Sequence, residues 1–320
     1  PTRTPLTALD IKQHSETDGS IQFFSEQLIA NGFQEVLTYS FVDSDLQELM
    51  VPNLSKVSIR NPISSDKEVM RASLWPGLLN TAFYNLNRQK SRIRLFESGV
   101  CFHIDNDTLH ENSYLAGLAC GLARTPDWLS NKREIDFFDL KGIVESLLAR
   151  TGRAKNYQFV SGKHDALHPG RSAKILIDGK ECGWMGQFHP RIQRKLGQDC
   201  EFYLFEINLK DLLQLELPVS REISRYPEVR RDLSFLVVST VPASEIVDCA
   251  REAAGEQLIS CEIFDVYKDY DNPASSVSIA LSLSFQHLER TLLDAEVDMT
   301  VESVVAAVEK KFSAKLRGGS

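Results

Sequence analysis

Residues 277–285 read VSIALSLSF, a strict alternation of large apolar residues with Ser and Ala. A period of two predicts a β-strand with one face against a core. Similar patterns cover the rest of the last hundred residues. Strands are predicted at 231–238, 258–267, 277–285 and 314–317, helices at 243–254 and 301–312, and a turn at 269–273. The order βαββαβ predicts a ferredoxin-like sandwich, with four antiparallel strands and two helices on one face.

The first 220 residues predict a longer α+β unit. Helices are expected after Ser20, at 76–88 and at 137–150, and strands at 35–42, 93–102, 114–123, 173–178, 182–188 and 201–207. The predicted buried face of the first helix consists of Ile21, Phe24, Leu28 and Ile29. Strands and helices do not alternate regularly, so we expect a mostly antiparallel sheet flanked by helices.

A change of composition marks one domain boundary. Residues 212–227 read LLQLELPVSREISRYP, where an amphipathic segment gives way to a charged stretch with two prolines. We therefore predict two domains, 1–220 and 221–320, and an α+β fold class for the whole.

The composition fits a soluble globular protein. Of 320 residues, 42% are hydrophobic and 25% charged. No apolar run reaches the ~20 residues needed to span a bilayer. Six cysteines are scattered without a CxxC pattern, which favours a reducing cytoplasm over a secreted framework. The chain starts at Pro1 without Met or a signal peptide, and we interpret this start as a fragment boundary.

The net charge of −8 is distributed unevenly. Residues 221–320 hold 11 basic and 17 acidic side chains, a net charge of −6, and four of the basic ones lie within 221–231. The acidity argues against a large phosphate-binding surface, but a small local one remains compatible with it.

Common catalytic motifs are missing from the sequence. It contains no GxGxxG, GxxxxGK[ST], HExxH or GxSxG, which argues against Rossmann dehydrogenases, P-loop NTPases, zincins and α/β-hydrolases. His164 and His168 are four residues apart but lie among turn residues, so we interpret them as loop histidines that donate hydrogen bonds and predict no metal site. Anion binding, ion pairing or solvent exposure are open alternatives for Arg71, Arg88, Arg92, Arg94 and Arg171.

The tail carries a sharper candidate site. Asp265 and Tyr267 are two residues apart near the end of one strand and therefore share a face, while Ser278 begins the next strand. On an open sheet, Tyr can stack on a base, and Asp and Ser can hydrogen-bond base edges. The alternative is a tyrosine that only packs against its neighbours.

An ordered series of short motifs runs along the whole chain. The motifs of the first 220 residues are Gly32-Phe33, 38–42 (TYSFV), 61–64 (NPIS), 70–74 (MRASL), 76–79 (PGLL), 95–99 (LFESG), 138–142 (FDLKG), 168–171 (HPGR) and 186–190 (GQFHP). Those of the tail are 226–227 (YP), 231–233 (RDL), 264–267 (FDVY) and 290–292 (RTL) with Asp294. In this set the chain resembles the C-terminal part of the β subunits of bacterial-type phenylalanyl-tRNA synthetases.

The resemblance implies an architecture and partners. The first domain would be a class II synthetase-like core without catalysis, and the tail a ferredoxin-fold anticodon-binding domain. The family assembles as (αβ)₂ with a catalytic α subunit that uses ATP and Mg²⁺, and it charges tRNA(Phe) in the cytoplasm. The matching anticodon-binding positions are Asp265, Tyr267 and Ser278. Arg230 and Arg231 are the candidate phosphate contacts.

The sequence agrees with a loss of catalysis. No GxGxGxxR motif is present, and Glu97 in the motif-like 95–99 lacks the usual paired arginine, although Arg94 stands three residues before it. We therefore predict no catalytic residue and no cofactor in this chain. The family's N-terminal modules, which proofread mischarged tRNA, lie outside it, so we expect no editing.

Two other functions stay open at this point. The acidic tail suits a protein-interaction scaffold with no RNA contact of its own, because acidic surfaces repel RNA. A stand-alone enzyme using Arg171, His168 and Glu97 is the other, but these residues form no nucleophile–base pair.

Overall fold

The computed structural model describes residues 15–125, 127–128, 132–153, 156–220, 222–268 and 276–317. Its contacts divide the chain into two compact units, 1–218 and 219–320, which we call the first unit and the tail unit. The predicted boundary near residue 220 lies close to this division. The turn predicted at 269–273 lies outside the described residues.

The first unit combines helices with one large sheet. Its strands are β1 (Gln34–Glu35), β2 (Phe41–Val42), β3 (Val69–Met70), β4 (Ile93–Asp105), β5 (Thr108–Cys120), β6 (Tyr157–Ser161), β7 (Leu167–Ile177), β8 (Lys180–Phe188) and β9 (Phe202–Asn208). Its helices are α1 (Ile21–Ala30), α2 (Ser44–Met50), α3 (Trp75–Leu86), α4 (Phe137–Ala149), α5 (Pro190–Lys195) and α6 (Leu209–Leu212).

Seven of these strands form the sheet, in the order β1-β4-β5-β9-β8-β7-β6. Only β1 pairs in parallel, with β4, and the other neighbours are antiparallel. Strands β2 and β3 pair separately. The prediction of a mostly antiparallel sheet flanked by helices is confirmed.

Hydrophobic cores cover both faces of the central strands. Leu115 and Ala119 of β5 enter a core with α1 and α4, whereas Ala116 and Leu118 enter a second core with α2 and α3. Successive side chains of a strand point to opposite faces, so the two cores lie on opposite sides of the sheet. The middle of this sheet is therefore closed to solvent on both sides.

Two sequence predictions for the first unit are wrong in detail. The strand predicted at 35–42 is only two short strands, β1 and β2, because the backbone between them bonds elsewhere: the Thr38 amide donates to a Glu97 carboxylate oxygen at 3.2 Å. Ile29, predicted on the buried face of α1, is exposed. Helix α2 and strand β6 were not predicted.

The tail unit follows its predicted order of elements. Its strands are β10 (Val229–Val238), β11 (Leu258–Lys268), β12 (Ser276–Phe285) and β13 (Lys315–Leu316), and its helices are α7 (Ala243–Ala254) and α8 (Asp294–Phe312). The antiparallel order β11-β12-β10-β13 is that of a ferredoxin-like sandwich, which confirms the prediction.

Helix α8 starts seven residues before its predicted start at Val301. Its first turn is polar, and the Glu296 side chain accepts the Leu293 N–H at 3.2 Å and pairs with Arg290 at 2.7 Å. A carboxylate at this position caps the helix, which an apolar stripe alone does not reveal. In the described part of the chain, no helix combines the length and the hydrophobicity needed to cross a membrane.

Candidate nucleic-acid interface

The tail sheet packs both of its helices on one face. Along β12, one set of alternating side chains enters the core with α7 and α8: Val277, Ile279, Leu281, Leu283 and Phe285. The other set points away from the helices: Ser276, Ser278, Ala280, Ser282 and Ser284. We call this second side the open face, and its floor along β12 consists of small side chains.

The three predicted base contacts meet on the open face. Tyr267 of β11 lies opposite Ser278 of β12, and Asp265 lies opposite Ala280. Directly opposed residues of antiparallel strands point to the same side. Tyr267 is 58% exposed, so its ring is free to stack on a planar ligand next to the Asp265 carboxylate.

Ser278 lies deeper than the other two. It is 6% exposed, and its hydroxyl oxygen is 3.0 Å from that of Ser234 on β10. A group that reached this hydroxyl would have to lie against the floor beside Tyr267.

The two predicted phosphate contacts lie on opposite faces. The register of β10 against β12 puts Arg230 on the open face and Arg231 on the helix face. Arg230 pairs with Asp232 at 2.9 Å and stays exposed. Arg231 pairs with Asp294 at 2.9 Å and Asp298 at 3.2 Å, both on α8. Only Arg230 shares a face with the three predicted base contacts.

Sequence reasoning missed one exposed aromatic residue of the open face. Strict alternation along β11 would put Phe264 on the same side as Val266, towards the helices. A bulge between Ile263 and Asp265 breaks the alternation, and the Arg230 guanidinium lies 5.8 Å from the Phe264 ring centre. The bulge depends on pairing with β12, so the sequence of β11 carries no signal for it.

In the first unit, two charged candidates pair with each other. Arg71 Nη1 lies 2.6 Å from Glu97 Oε1, and both side chains are buried. Thr38 Oγ1 donates to Glu97 Oε2 at 2.7 Å, and Arg71 Nε donates to the Val100 carbonyl at 2.9 Å. Glu97 is thus held in a closed hydrogen-bond network rather than presented to a substrate.

Two glycines make room for this network. A Cβ on Gly99 would lie 2.1 Å from Arg71 Nη2, and one on Gly77 would lie 2.2 Å from Thr38 Oγ1. Larger residues at either position would displace the buried groups. This explains why glycines stand in the segments 95–99 and 76–79.

Arg94 also has partners inside the first unit. Arg94 and Glu97 are three residues apart on β4, so their side chains point to opposite faces of the sheet. The Arg94 guanidinium donates instead to the backbone carbonyls of Asn31 at 2.9 Å and Ala123 at 2.6 Å. The Arg94–Glu97 match suggested by the sequence is therefore not an ion pair.

Arg171 donates to the Gln187 side chain at 2.9 Å, and the Arg88 guanidinium lies 3.3 Å from the Tyr84 ring centre. Arg92 Nε is buried and has no hydrogen-bond partner in the part of the chain that the structure describes. The contacts of Arg171 and Arg88 favour the structural alternative for these two residues.

Three histidines accept hydrogen bonds through Nδ1, and two of these, His164 and His168, were predicted to donate. In His164, His168 and His189, Nδ1 accepts the backbone N–H two residues further on, at 3.2, 3.0 and 3.1 Å. His164 also packs between Trp75 and Trp184, and burial lowers its pKa. Among the residues that the structure describes, no three His, Cys, Asp or Glu side chains come together as metal ligands.

One unusual carboxyl group was also missed by the sequence analysis. Burial raises the pKa of Glu206 on β9 to about 7, against the opposing effect of nearby Arg71. Its Oε1 accepts from Ser73 Oγ at 3.0 Å and from the Leu74 amide at 2.7 Å. Glu206 therefore connects β9 with the start of α3 through these hydrogen bonds. With a pKa of about 7, its carboxyl group changes charge near neutral pH.

Models of two domain families match the chain. One, described as phenylalanyl tRNA synthetase beta chain CLM domain, matches residues 1–209. The other, described as ferredoxin-fold anticodon binding domain, matches residues 224–317. The second match covers the strands that form the open face.

Curated relatives agree with these matches. The chain is 42% identical over 317 residues to the phenylalanine–tRNA ligase beta subunit of Pseudomonas fluorescens, 39% to that of Hahella chejuensis and 38% over 320 residues to that of Haemophilus influenzae. Each alignment covers 99% of this chain but 40% of the relative. The chain thus spans about two fifths of their length.

Among solved structures, a pyrrolysyl tRNA synthetase, PylSc of Desulfitobacterium hafniense, is similar with a TM-score of 0.45 and 19% identity, over 61% of this chain and 68% of that one. A likeness this low supports no conclusion. The family models and the curated relatives do: this chain belongs to the family of phenylalanyl-tRNA synthetase beta chains.

Proposed function

We propose that this chain is a non-catalytic part of a phenylalanine–tRNA ligase. Its tail unit binds the anticodon loop of tRNA(Phe), and its first unit docks the catalytic α subunit of an (αβ)₂ enzyme. The observation that carries the proposal is the open face, where an exposed Tyr267 stands beside Asp265 in a unit matched by an anticodon-binding family.

The chemistry of the open face suits single-stranded RNA. Aromatic rings on an open sheet stack on unpaired bases, and carboxylates and hydroxyls accept from or donate to base edges. The tail as a whole is acidic, with a net charge of −6 over residues 221–320. We therefore infer a small footprint, with most of the affinity for tRNA supplied by the rest of the enzyme.

Tyr267→Ala is expected to weaken binding of bacterial tRNA(Phe) about 5- to 150-fold, because stacking on one aromatic ring contributes ~1–3 kcal/mol per base. Tyr267→Phe keeps the ring and should bind within a few-fold of wild type. Fluorescence anisotropy with labelled tRNA(Phe) measures both.

The same experiment tests the strongest alternative. The negative charge of the tail favours a protein-interaction scaffold with no RNA contact. Equal affinity of wild type and Tyr267→Ala would support that scaffold and contradict anticodon binding by the open face.

Two features support the scaffolding role of the first unit. Both faces of its central strands are closed by cores, and its Arg71–Glu97 pair is buried. That pair holds Thr38, whose neighbours Leu37 and Tyr39 are 88% and 64% exposed. Exposed large apolar side chains on a fixed backbone are typical of protein interfaces.

Leu37→Asp combined with Tyr39→Asp is expected to abolish co-purification with the α subunit, since two charges would enter an apolar contact. Ile223→Asp, at an equally exposed position of the tail unit, is the control and should co-purify normally. Size-exclusion chromatography of the co-expressed chains measures the assembly, and unchanged assembly of the double variant would contradict this docking surface.

ATP and Mg²⁺ are assigned to the α subunit. The charged groups nearest the motif-like segment 95–99, Arg71 and Glu97, bind each other and so are not available to those ligands. ATP–pyrophosphate exchange should require the α subunit, and exchange by this chain alone would contradict a non-catalytic role. The six free cysteines support the cytoplasm as its compartment.

A further inference from the structure

Phe264 is an exposed aromatic residue that contributes little to the tail core. Its side chain is 54% exposed, and it is not among the residues packed against the core of the tail unit. The Arg230 guanidinium lies 5.8 Å from the ring centre, and an exposed aromatic ring can stack on a planar ligand. Phe264 stands three residues before Tyr267 on the same strand.

The β-bulge explains how Phe264 reaches the open face. Ile263 pairs with Leu281, and Asp265 pairs with the neighbouring Ala280. Phe264 therefore has no partner of its own on β12 and is the extra residue of the bulge. A bulge of this kind re-aims side chains and often accompanies binding sites. The contact with Arg230, whose register places it on the open face, puts the Phe264 ring on that face as well.

Arg230 is held in a defined orientation above the floor. Its Nε and Nη2 atoms donate to the two carboxylate oxygens of Asp232, at 2.9 and 3.3 Å. This fork fixes the guanidinium plane while the side chain stays exposed. Its remaining N–H groups can donate to a phosphate oxygen of a bound strand.

Building on the proposed anticodon contact, we propose that Phe264 and Arg230 form a second nucleotide-binding position on the open face. A base stacks on the Phe264 ring, and Arg230 contacts the phosphate that belongs to the same stretch of RNA. Three residues of strand separate Phe264 from Tyr267, at most about 10 Å at ~3.3 Å per residue and less because the bulge adds one of them. The two rings therefore contact different nucleotides of one single strand.

The test compares variants of the full chain with an RNA hairpin that carries the anticodon stem and loop of tRNA(Phe). Phe264→Ala is expected to weaken binding about 5- to 150-fold, and Phe264→Trp to retain it. Val266→Ala is the matched control, because Val266 is 55% exposed on the other side of the same strand. It should bind like wild type.

Salt dependence tests the role of Arg230. Arg230→Gln should reduce the slope of log K against log salt by about 0.7, the loss of one phosphate contact to a single strand. In a double variant with Phe264→Ala, the two losses should be less than additive, because both residues serve one position.

Two outcomes would overturn the second position. If Phe264→Ala binds within twofold of wild type while Tyr267→Ala does not, the second position is refuted and the proposed anticodon contact stands. If Phe264→Ala binds RNA normally but loses association with the α subunit, Phe264 is a protein contact. Failure of both aromatic variants to change binding would instead contradict the proposed function itself.

Discussion

Replacing Arg71 with Met is expected to lower the free energy of unfolding of the first unit by about 3–5 kcal/mol. The substitution leaves the Glu97 carboxylate buried without its cation, and an uncompensated buried charge is among the costliest defects in a protein. Three tryptophans, Trp75, Trp128 and Trp184, all lie in the first unit. Their fluorescence during urea unfolding therefore reports on this unit alone.

Two further variants separate the charge from the packing. Arg71→Met combined with Glu97→Gln should recover much of the loss, because no buried charge remains and Thr38 can still donate to the amide oxygen. Arg133→Met removes an exposed cation that pairs with Asp139, and should cost less than about 1 kcal/mol.

A loss for Arg71→Met as small as that for Arg133→Met would contradict this account of the buried pair. If Arg71→Met and the double variant with Glu97→Gln lose the same free energy of unfolding, the loss comes from the packing of the Arg71 side chain and not from the unpaired carboxylate.

The tail fold was predictable because its signals are local. The alternation of β12 and the apolar stripe and terminal Gly255 of α7 are properties of a few neighbouring residues. Helix α7 begins and ends where the sequence predicted, at Ala243 and Ala254. Local patterns of this kind survive folding unless a distant group competes for the backbone.

Predictions failed where a distant residue decides the local structure. The strand predicted at 35–42 is interrupted because Glu97, 59 residues away from Thr38, accepts its amide. Arg71 and Glu97 each stood in a short motif of the sequence, yet their spacing offered no reason to pair them. Arg94 was the nearer candidate, but alternation along β4 points it to the other face.

The candidate site was predictable only in part. Asp265 and Tyr267 share a face because they are two residues apart, and the register brings Ser278 beside them. The small exposure of Ser278 depends on the packing of β10 beside it, and the register of β10 against β12 decides which of the adjacent Arg230 and Arg231 lies on the open face. The roles of all five residues in RNA binding stay predictions until the variants are measured.

Glu206 is expected to make the first unit less stable as the pH rises from about 5 to 8. Burial raises its pKa to about 7 in the folded chain, whereas the unfolded chain keeps the ordinary value of 4.5. The stabilising contribution of the protonated group is fully present below pH 4.5. It is lost as the pH rises through about 7, because the unfolded chain releases the proton first. The difference amounts to about 3 kcal/mol.

Glu206→Gln isolates this contribution. The amide of glutamine keeps an oxygen that can accept from Ser73 and Leu74, but it does not titrate. The difference in the free energy of unfolding between wild type and variant, which we call the stability gap, should therefore change by about 3 kcal/mol between pH 5 and 8. Glu111→Gln, at an exposed position of the β4–β5 hairpin, should leave the gap constant. Tryptophan fluorescence in urea at each pH measures both series. Parallel curves for wild type and Glu206→Gln would mean that Glu206 is already ionised in the folded chain at pH 5, with Arg71 outweighing the burial of its carboxyl group.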